Sequence, residues 1–273
     1  MKIFKTRLIN KYIIITFSLL FLSLLISWMF ASEFLGIVFM DYSAPDLVQG
    51  DKKEMMMAFL REIMTWPNLV DSSMFYTINF LPIFFIIPIL PFYKECRSYF
   101  NLGKQRFKKL GNALLKTILS YSLIAAFTTS LTFSAFYSFA AIFVYNRKAF
   151  TYIGEFASIF PKDFYSKHPY LFFIFMSFTI YFALAFVFAL LGIGISFFVN
   201  KEYKIIIIVL AIYHLYGNLG VLTNYLPFKI FNCVTAFNTL YSFFETFIPL
   251  ILILAVAIAL NILGIRKVKR NVF

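Results

Sequence analysis

The sequence predicts an all-α, polytopic integral membrane protein: six transmembrane helices, both termini cytoplasmic, and a re-entrant outer segment before the last helix. Three observations predict it. Hydrophobic residues make up 62% of the 273 residues and charged residues 14%, against about 45–50% and about 25% in soluble domains. With 39 Phe and 17 Tyr, there is more apolar surface than one water-solvated core can hide. Six charge-free runs, at 12–32, 72–93, 117–146, 169–200, 205–228 and 246–265, are each long enough to carry a helix across about 30 Å of hydrocarbon, and the roughly ten-residue alternation of a membrane β-barrel is missing. Finally, the cations fall on alternate connections. Lys2, Lys5, Arg7 and Lys11, seven Lys/Arg between 93 and 116, Lys201 and Lys204, and four more at 266–270 account for 17 of the 25, with only Glu95 and Glu202 as acids beside them. That places these segments in the cytoplasm.

The elements follow in order. Residues 1–11 form a basic cytoplasmic segment. The first span, 12–39, is too long for a secretory signal, and Met29 stands where a cleavage site needs a small residue, so the span is expected to stay as an anchor. Glu33, near its outer end, is read as solvated at the interface. The external loop 40–71 is acidic (Asp41, Asp46, Asp51, Glu54, Glu62, Asp71), and its Met55–Leu60 stretch predicts a short helix lying on the outer interface. The second span, 72–92, contains Pro82, Pro88 and Pro91. It should be kinked, with neighbouring helices satisfying the freed carbonyls. A cytoplasmic connection, 93–112, leads to the third span, 113–145, and an external loop, 146–168, to the fourth, 169–199. These two spans exceed the ~20 residues needed and are expected to tilt or project.

The fifth span, 205–224, is broken by Asn224-Tyr225-Leu226-Pro227. The following segment, 225–245, includes a charge-free stretch from Ile230 to Phe244 that is too short to span and too apolar for a wet loop, so it should dip into the outer leaflet. The sixth span, 246–265, has Pro249 in its first turn, and a basic tail, 266–273, ends the chain. Cys96 and Cys233 fall on opposite sides of the membrane and cannot pair.

The net charge of +13 is explained by retention of loops in the cytoplasm, with contact to anionic headgroups as a compatible extra, and implies no nucleic-acid partner. Lys outnumbers Arg, and Ile, Phe, Tyr and Asn are abundant, which suggests the plasma membrane of a low-GC bacterium. Enzyme signatures are unconvincing. Ser196 and His214 supply a nucleophile and a base, but the first lies at the cytoplasmic mouth and the second near mid-membrane, about half a membrane apart at about 1.5 Å per residue. There is no His-Glu-x-x-His, no Walker loop, and no metal cluster to be made from two histidines and two distant cysteines. The chain is therefore expected to be no enzyme and to bind no cofactor directly.

Three groups of residues carry the functional expectations. The connection from Phe92 to Gly111 alternates aromatics, cations and one acid over a length that positive-inside retention does not require, which suits docking against a soluble protein. His214 and Asn218 share a helix face near mid-membrane and are read either as interhelical hydrogen-bonding groups or as part of a substrate path. Phe231, Phe237 and Phe243, between Pro227 and Pro249, are read as an apolar gate or as ordinary packing of an interfacial helix.

With six spans, a basic amino end, the Phe92…Glu95…Arg97 pattern in the connection between spans two and three, and an apolar re-entrant segment before span six, the chain resembles the ABC type-2 permease family, which includes bacterial lantibiotic and antibiotic immunity permeases. Ser98-Tyr99 stand where members often carry Gly-Thr. The resemblance covers most of the chain. It implies a transporter subunit for an amphipathic or hydrophobic substrate, working with a separate ATP-binding cassette ATPase that carries ATP and Mg. It also implies a second permease chain, identical or not, and a coupling site at Glu95, Arg97, Tyr99 and Arg106. A membrane scaffold or sensor that docks a cytoplasmic partner without transporting is the alternative expectation.

Overall fold

The computed structural model describes residues 10–43, 51–103, 110–144, 155–238 and 240–270, without the side chains of 98–103 and 238. Among them there is no strand, and six helical stretches are long and apolar enough to cross a membrane: Lys11–Ala31, Trp66–Arg97, Leu110–Phe143, Pro169–Ser196, Glu202–Thr223 and Glu245–Arg270. This is an all-α, multi-pass membrane architecture, and the six stretches overlap the six expected spans.

Span 1 is helix α1 (Lys11–Ala31), started by Asn10, whose Oδ1 accepts from the backbone N–H groups of Tyr12 at 2.9 Å and Ile13 at 3.1 Å. The single helix expected over 12–39 is two. α1 stops at Ala31, Glu33 takes a left-handed conformation at φ 61°, and a short α2 (Phe34–Phe39) turns away, with Phe34 against the Trp28 ring. Glu33 is exposed, as expected. The outer loop then carries Asp41, whose carboxyl is held below the ordinary carboxylate range by hydrogen bonds from the Ser43 hydroxyl and backbone N–H. The expected interfacial helix is present as α3 (Lys52–Ile63), capped by Asp51.

Span 2 starts as α4 (Trp66–Ile86), tightens to a 3-10 turn at Ile87–Ile89 around Pro88, and continues as α5 (Leu90–Gly103). The proline-rich stretch therefore changes the helix type without ending the helix. The chain expected to become a loop at 93 stays helical to Gly103. Span 3 is α6 (Leu110–Phe143), whose Thr117, Ser122, Thr128 and Thr132 hydroxyls return to the carbonyls four residues earlier, so these buried polar groups need no partner on another helix. After the four-residue α7 (Phe164–Lys167), span 4 runs as α8 (Pro169–Met176), a π-turn at Ser177–Tyr181, and α9 (Phe182–Ser196). Span 5 is α10 (Glu202–Thr223). The re-entrant segment holds α11 (Ile230–Val234), and span 6 is α12 (Ile248–Arg270), entered through a 3-10 turn at Glu245–Phe247.

Span 4 is the centre. Its most apolar window is 56% buried, against 22% in span 1, and it packs on spans 2, 3, 5 and 6. Small residues permit this: a Cβ added to Gly194 would meet the Leu260 and Asn261 side chains of span 6. Asn261 seals the seam by donating to Leu190 O and to Ala257 O, both at 2.8 Å.

Candidate functional site

The candidate site begins at the cytoplasmic ends of the helices, because helix termini leave carbonyls without partners. Span 4 ends at Ser196, and the carbonyls just beyond it are taken by cations from two other elements. Arg97 of α5 donates to Val199 O and, at 3.2 Å, to Asn200 Oδ1, while its guanidinium lies 4.8 Å from the Tyr93 ring centroid. Lys267 of span 6 donates to Phe197 O at 3.1 Å. Two cations at the carboxyl end of one helix also oppose the negative end of its dipole.

Beside this clamp, the Tyr121 hydroxyl of span 3 donates to Glu95 Oε1 at 2.8 Å, and the second carboxylate oxygen is buried without a hydrogen-bond partner. Tyr121 is 3% exposed and packs its ring edge-on against Phe92. Lys94 joins two further spans, donating to Tyr12 Oη at 3.0 Å and pairing with Glu202 Oε1 at 3.5 Å. One turn and a half of α5 is thereby attached to the inner ends of spans 1, 3, 4 and 5.

Of the four expected coupling residues, Glu95 and Arg97 lie in this cluster. Tyr99 is on the same helix, with its side chain outside the described residues, and Arg106 falls outside them altogether. Sequence reasoning missed Tyr121, Glu202 and Lys267 as partners. The alternation of charge signs at Lys94-Glu95 and Lys201-Glu202 hinted at the Lys94–Glu202 pair, but a tyrosine within an apolar run gives no sign of where its hydroxyl points.

The comparisons belong at this point. No family model, curated protein or solved structure matches the chain. The functional reading therefore rests on the residues themselves.

At mid-membrane, His214 Nε2 lies 3.0 Å from the backbone carbonyl of Asn79 in span 2. A carbonyl only accepts, so the ring carries its proton on Nε2 in this bond. Asn79 lies three residues before Pro82, in the turn whose hydrogen-bond ladder the proline interrupts. The interhelical bonding expected of His214 is thus present, across spans 2 and 5. Asn218, one turn further along, is exposed and makes no hydrogen bond among the described residues, and the Asn79 side chain is exposed in the same way.

The three phenylalanines separate into two places. Phe231 packs on span 5, over Gly217 and at 5.3 Å and 6.3 Å from the Tyr213 and His214 rings, and any side chain at 217 would strike its ring. Phe237 and Phe243 lie on the outer half of span 4, Phe237 at 6.1 Å from Phe173 and Phe243 at 6.0 Å from Phe175. They form no single plug. The segment that carries them is nonetheless inside the protein. Ile230, Cys233, Val234 and Ala236 are fully buried, and Tyr181 of the π-turn donates to Val234 O at 3.2 Å. Cys233 is free and donates to Thr246 O, and Cys96 is also free. Ser196, bonded to Ile193 O, and His214 serve different partners and form no nucleophile–base pair.

Proposed function

We propose that the chain is the membrane-spanning permease subunit of an ATP-binding cassette transporter, moving an amphipathic or hydrophobic substrate with the energy of a separate ATPase. The observation that carries this reading is the inner clamp: α5 continues span 2 to Gly103 and is tied to spans 1, 3, 4 and 5 through Lys94, Glu95 and Arg97. A partner that displaces this helix acts on five spans at once, which is the mechanical requirement for coupling a soluble motor to a membrane path. The exposed amides of Asn79 and Asn218 add support, since polar groups at membrane depth face protein or water rather than lipid. A second permease chain or a polar path along spans 2 and 5 would meet that requirement.

The test is to co-express the chain with an ATP-binding cassette ATPase encoded beside its gene, purify the pair and reconstitute it. Co-purification together with ATP hydrolysis above that of the ATPase alone supports the permease. Absence of both overturns it. The scaffold or sensor reading draws on the same clamp, because Glu95 and Arg97 are engaged within the chain. It differs in requiring no substrate-dependent hydrolysis.

A further inference from the structure

We propose that the outer half of the bundle holds a binding site for the acyl-ester end of an outer-leaflet glycerolipid, in the cavity between spans 1 and 3. The cavity measures about 190 Å³ and is walled by hydrocarbon and ring faces, among them Leu25 and Trp28 of span 1, Phe34 of α2, Met64 after α3, and Phe139 and Phe143 of span 3. For scale, a dry apolar cavity of about 150 Å³ takes up benzene, so this space accommodates the first part of one acyl chain and not a whole lipid. Its mouth is on the lipid side: Phe139 is 40% exposed and Phe143 50%.

The polar end of the ligand follows from two groups beside the cavity. Trp28 Nε1 and Ser32 Oγ are both buried with no hydrogen-bond partner, and Ser32 is 4% exposed. Four residues apart, they share one face of the chain at the place where α1 ends. Both can donate, and a donor left unpaired in a low-dielectric site is costly. The matching ligand atom is an acceptor at the end of an apolar chain, at the depth where the helix leaves the hydrocarbon. Ester carbonyls of glycerolipids satisfy that description, and this depth is also where tryptophan is enriched in membrane proteins. The kink at Glu33 makes the site possible, because a straight helix over 12–39 would carry Phe34 away from the Trp28 ring it now contacts.

The experiment reads the lipid directly and needs no ATPase, so its outcome is independent of the permease proposal. In the full chain carrying Trp66→Phe, Trp28 is the sole indole. It is reconstituted in phosphatidylglycerol vesicles doped with a diester lipid brominated near the carbonyl or with its diether analogue. Trp28 fluorescence should be quenched saturably at a low mole fraction of the diester, and the diether should need about two- to tenfold more, the span of one neutral hydrogen bond. Ser32→Ala should narrow that gap, and Ala140→Leu, which fills the cavity, should leave quenching linear in mole fraction. Identical diester and diether curves, linear quenching of the parent, or no quenching because protein covers the cavity would each overturn the proposal. Should Trp66→Phe fail to fold, native mass spectrometry of the chain with Trp66 intact takes over: Ala140→Leu should lose one retained diester lipid, and an unchanged count overturns the site.

Discussion

Replacing Tyr121 by Phe removes one oxygen, keeps the edge-on contact with Phe92, and strips Glu95 of the only hydrogen-bond donor its carboxylate has among the described side chains. Deleting one partner of a hydrogen bond to a charged group costs about 1.5–3 kcal/mol. Taking about 2 kcal/mol, the ratio of folded to unfolded chain should fall roughly thirtyfold, since about 1.4 kcal/mol is tenfold. Glu95→Gln, which keeps an acceptor oxygen for Tyr121, should cost less than Glu95→Ala. The pair Glu95→Ala and Tyr121→Phe should be non-additive by about 1–2 kcal/mol in a double-mutant cycle, because both remove the same bond. The assay is reversible unfolding of the purified chain in mixed micelles, followed by circular dichroism. In the ATPase complex the same variants separate two roles for Glu95. If the carboxylate positions α5 from within the chain, Tyr121→Phe lowers transport-coupled hydrolysis as much as Glu95→Ala does; if it touches the ATPase, only Glu95→Ala lowers it. An unchanged unfolding midpoint for Tyr121→Phe, with a coupling energy near zero, would refute the reasoning from the structure.

Four further outcomes are expected. Cysteines at 162 should be labelled from outside intact cells and those at 269 only after permeabilisation, and the reverse pattern would invert the topology derived from the cation distribution. His214→Ala should destabilise by about 0.6 kcal/mol, the mean for a hydrogen bond between membrane helices, and by no more than about 1.7 kcal/mol, as read from the same unfolding assay. Gly194→Val should cost about 1–3 kcal/mol by overpacking the span 4–span 6 seam, with a matching fall in thermal midpoint. Asn218→Leu should leave the unfolding midpoint in place, because the side chain makes no hydrogen bond, yet reduce transport by the reconstituted complex; unchanged transport would remove Asn218 from the path.

The spans were legible because hydrocarbon imposes a one-dimensional constraint: about 20 apolar residues between charges, and cations on one side. Asn224 and Pro227 marked the end of span 5 for equally local reasons, a left-handed stop at φ 54° and a 3-10 turn at Leu226–Phe228. What escaped reading was long-range. The π-turn at Ser177–Tyr181 lies in a run with no glycine or proline to announce it, and the break at Ser32-Glu33 sits inside a stretch apolar enough to continue. The partners of Glu95 and Arg97 come from spans 3 and 4, and no spacing rule within 93–112 points to Tyr121 or Val199. The tempting cluster of phenylalanines failed for a related reason. Four rings within a short segment look like one plug, but Phe231 turns toward Gly217 while Phe237 and Phe243 turn toward span 4.

The two ends of the bundle are held by different kinds of force. At the inner end the joints are few, polar and partly wet: Lys94 and Glu202 have side chains 54% and 34% exposed, and pairs of that exposure contribute about 0.2–1 kcal/mol. At the outer end the re-entrant segment is fixed by fully buried groups and by rings in contact, Phe156 with Phe243 at 5.2 Å and Phe243 with Phe247 at 5.2 Å among them, and truncating such aromatics typically costs about 3–5 kcal/mol each. Exchanging the inner joints for others is therefore cheap, whereas opening the outer end means parting packed rings. On the permease reading, this difference sets the order of events. A soluble motor with a few kcal/mol to deliver through α5 can rearrange the inner clamp directly, but it reaches the outer segment only through span 4, which touches both. The contact that matters most for transmission is then the Tyr181–Val234 bond at the π-turn, where the central span and the outer segment meet.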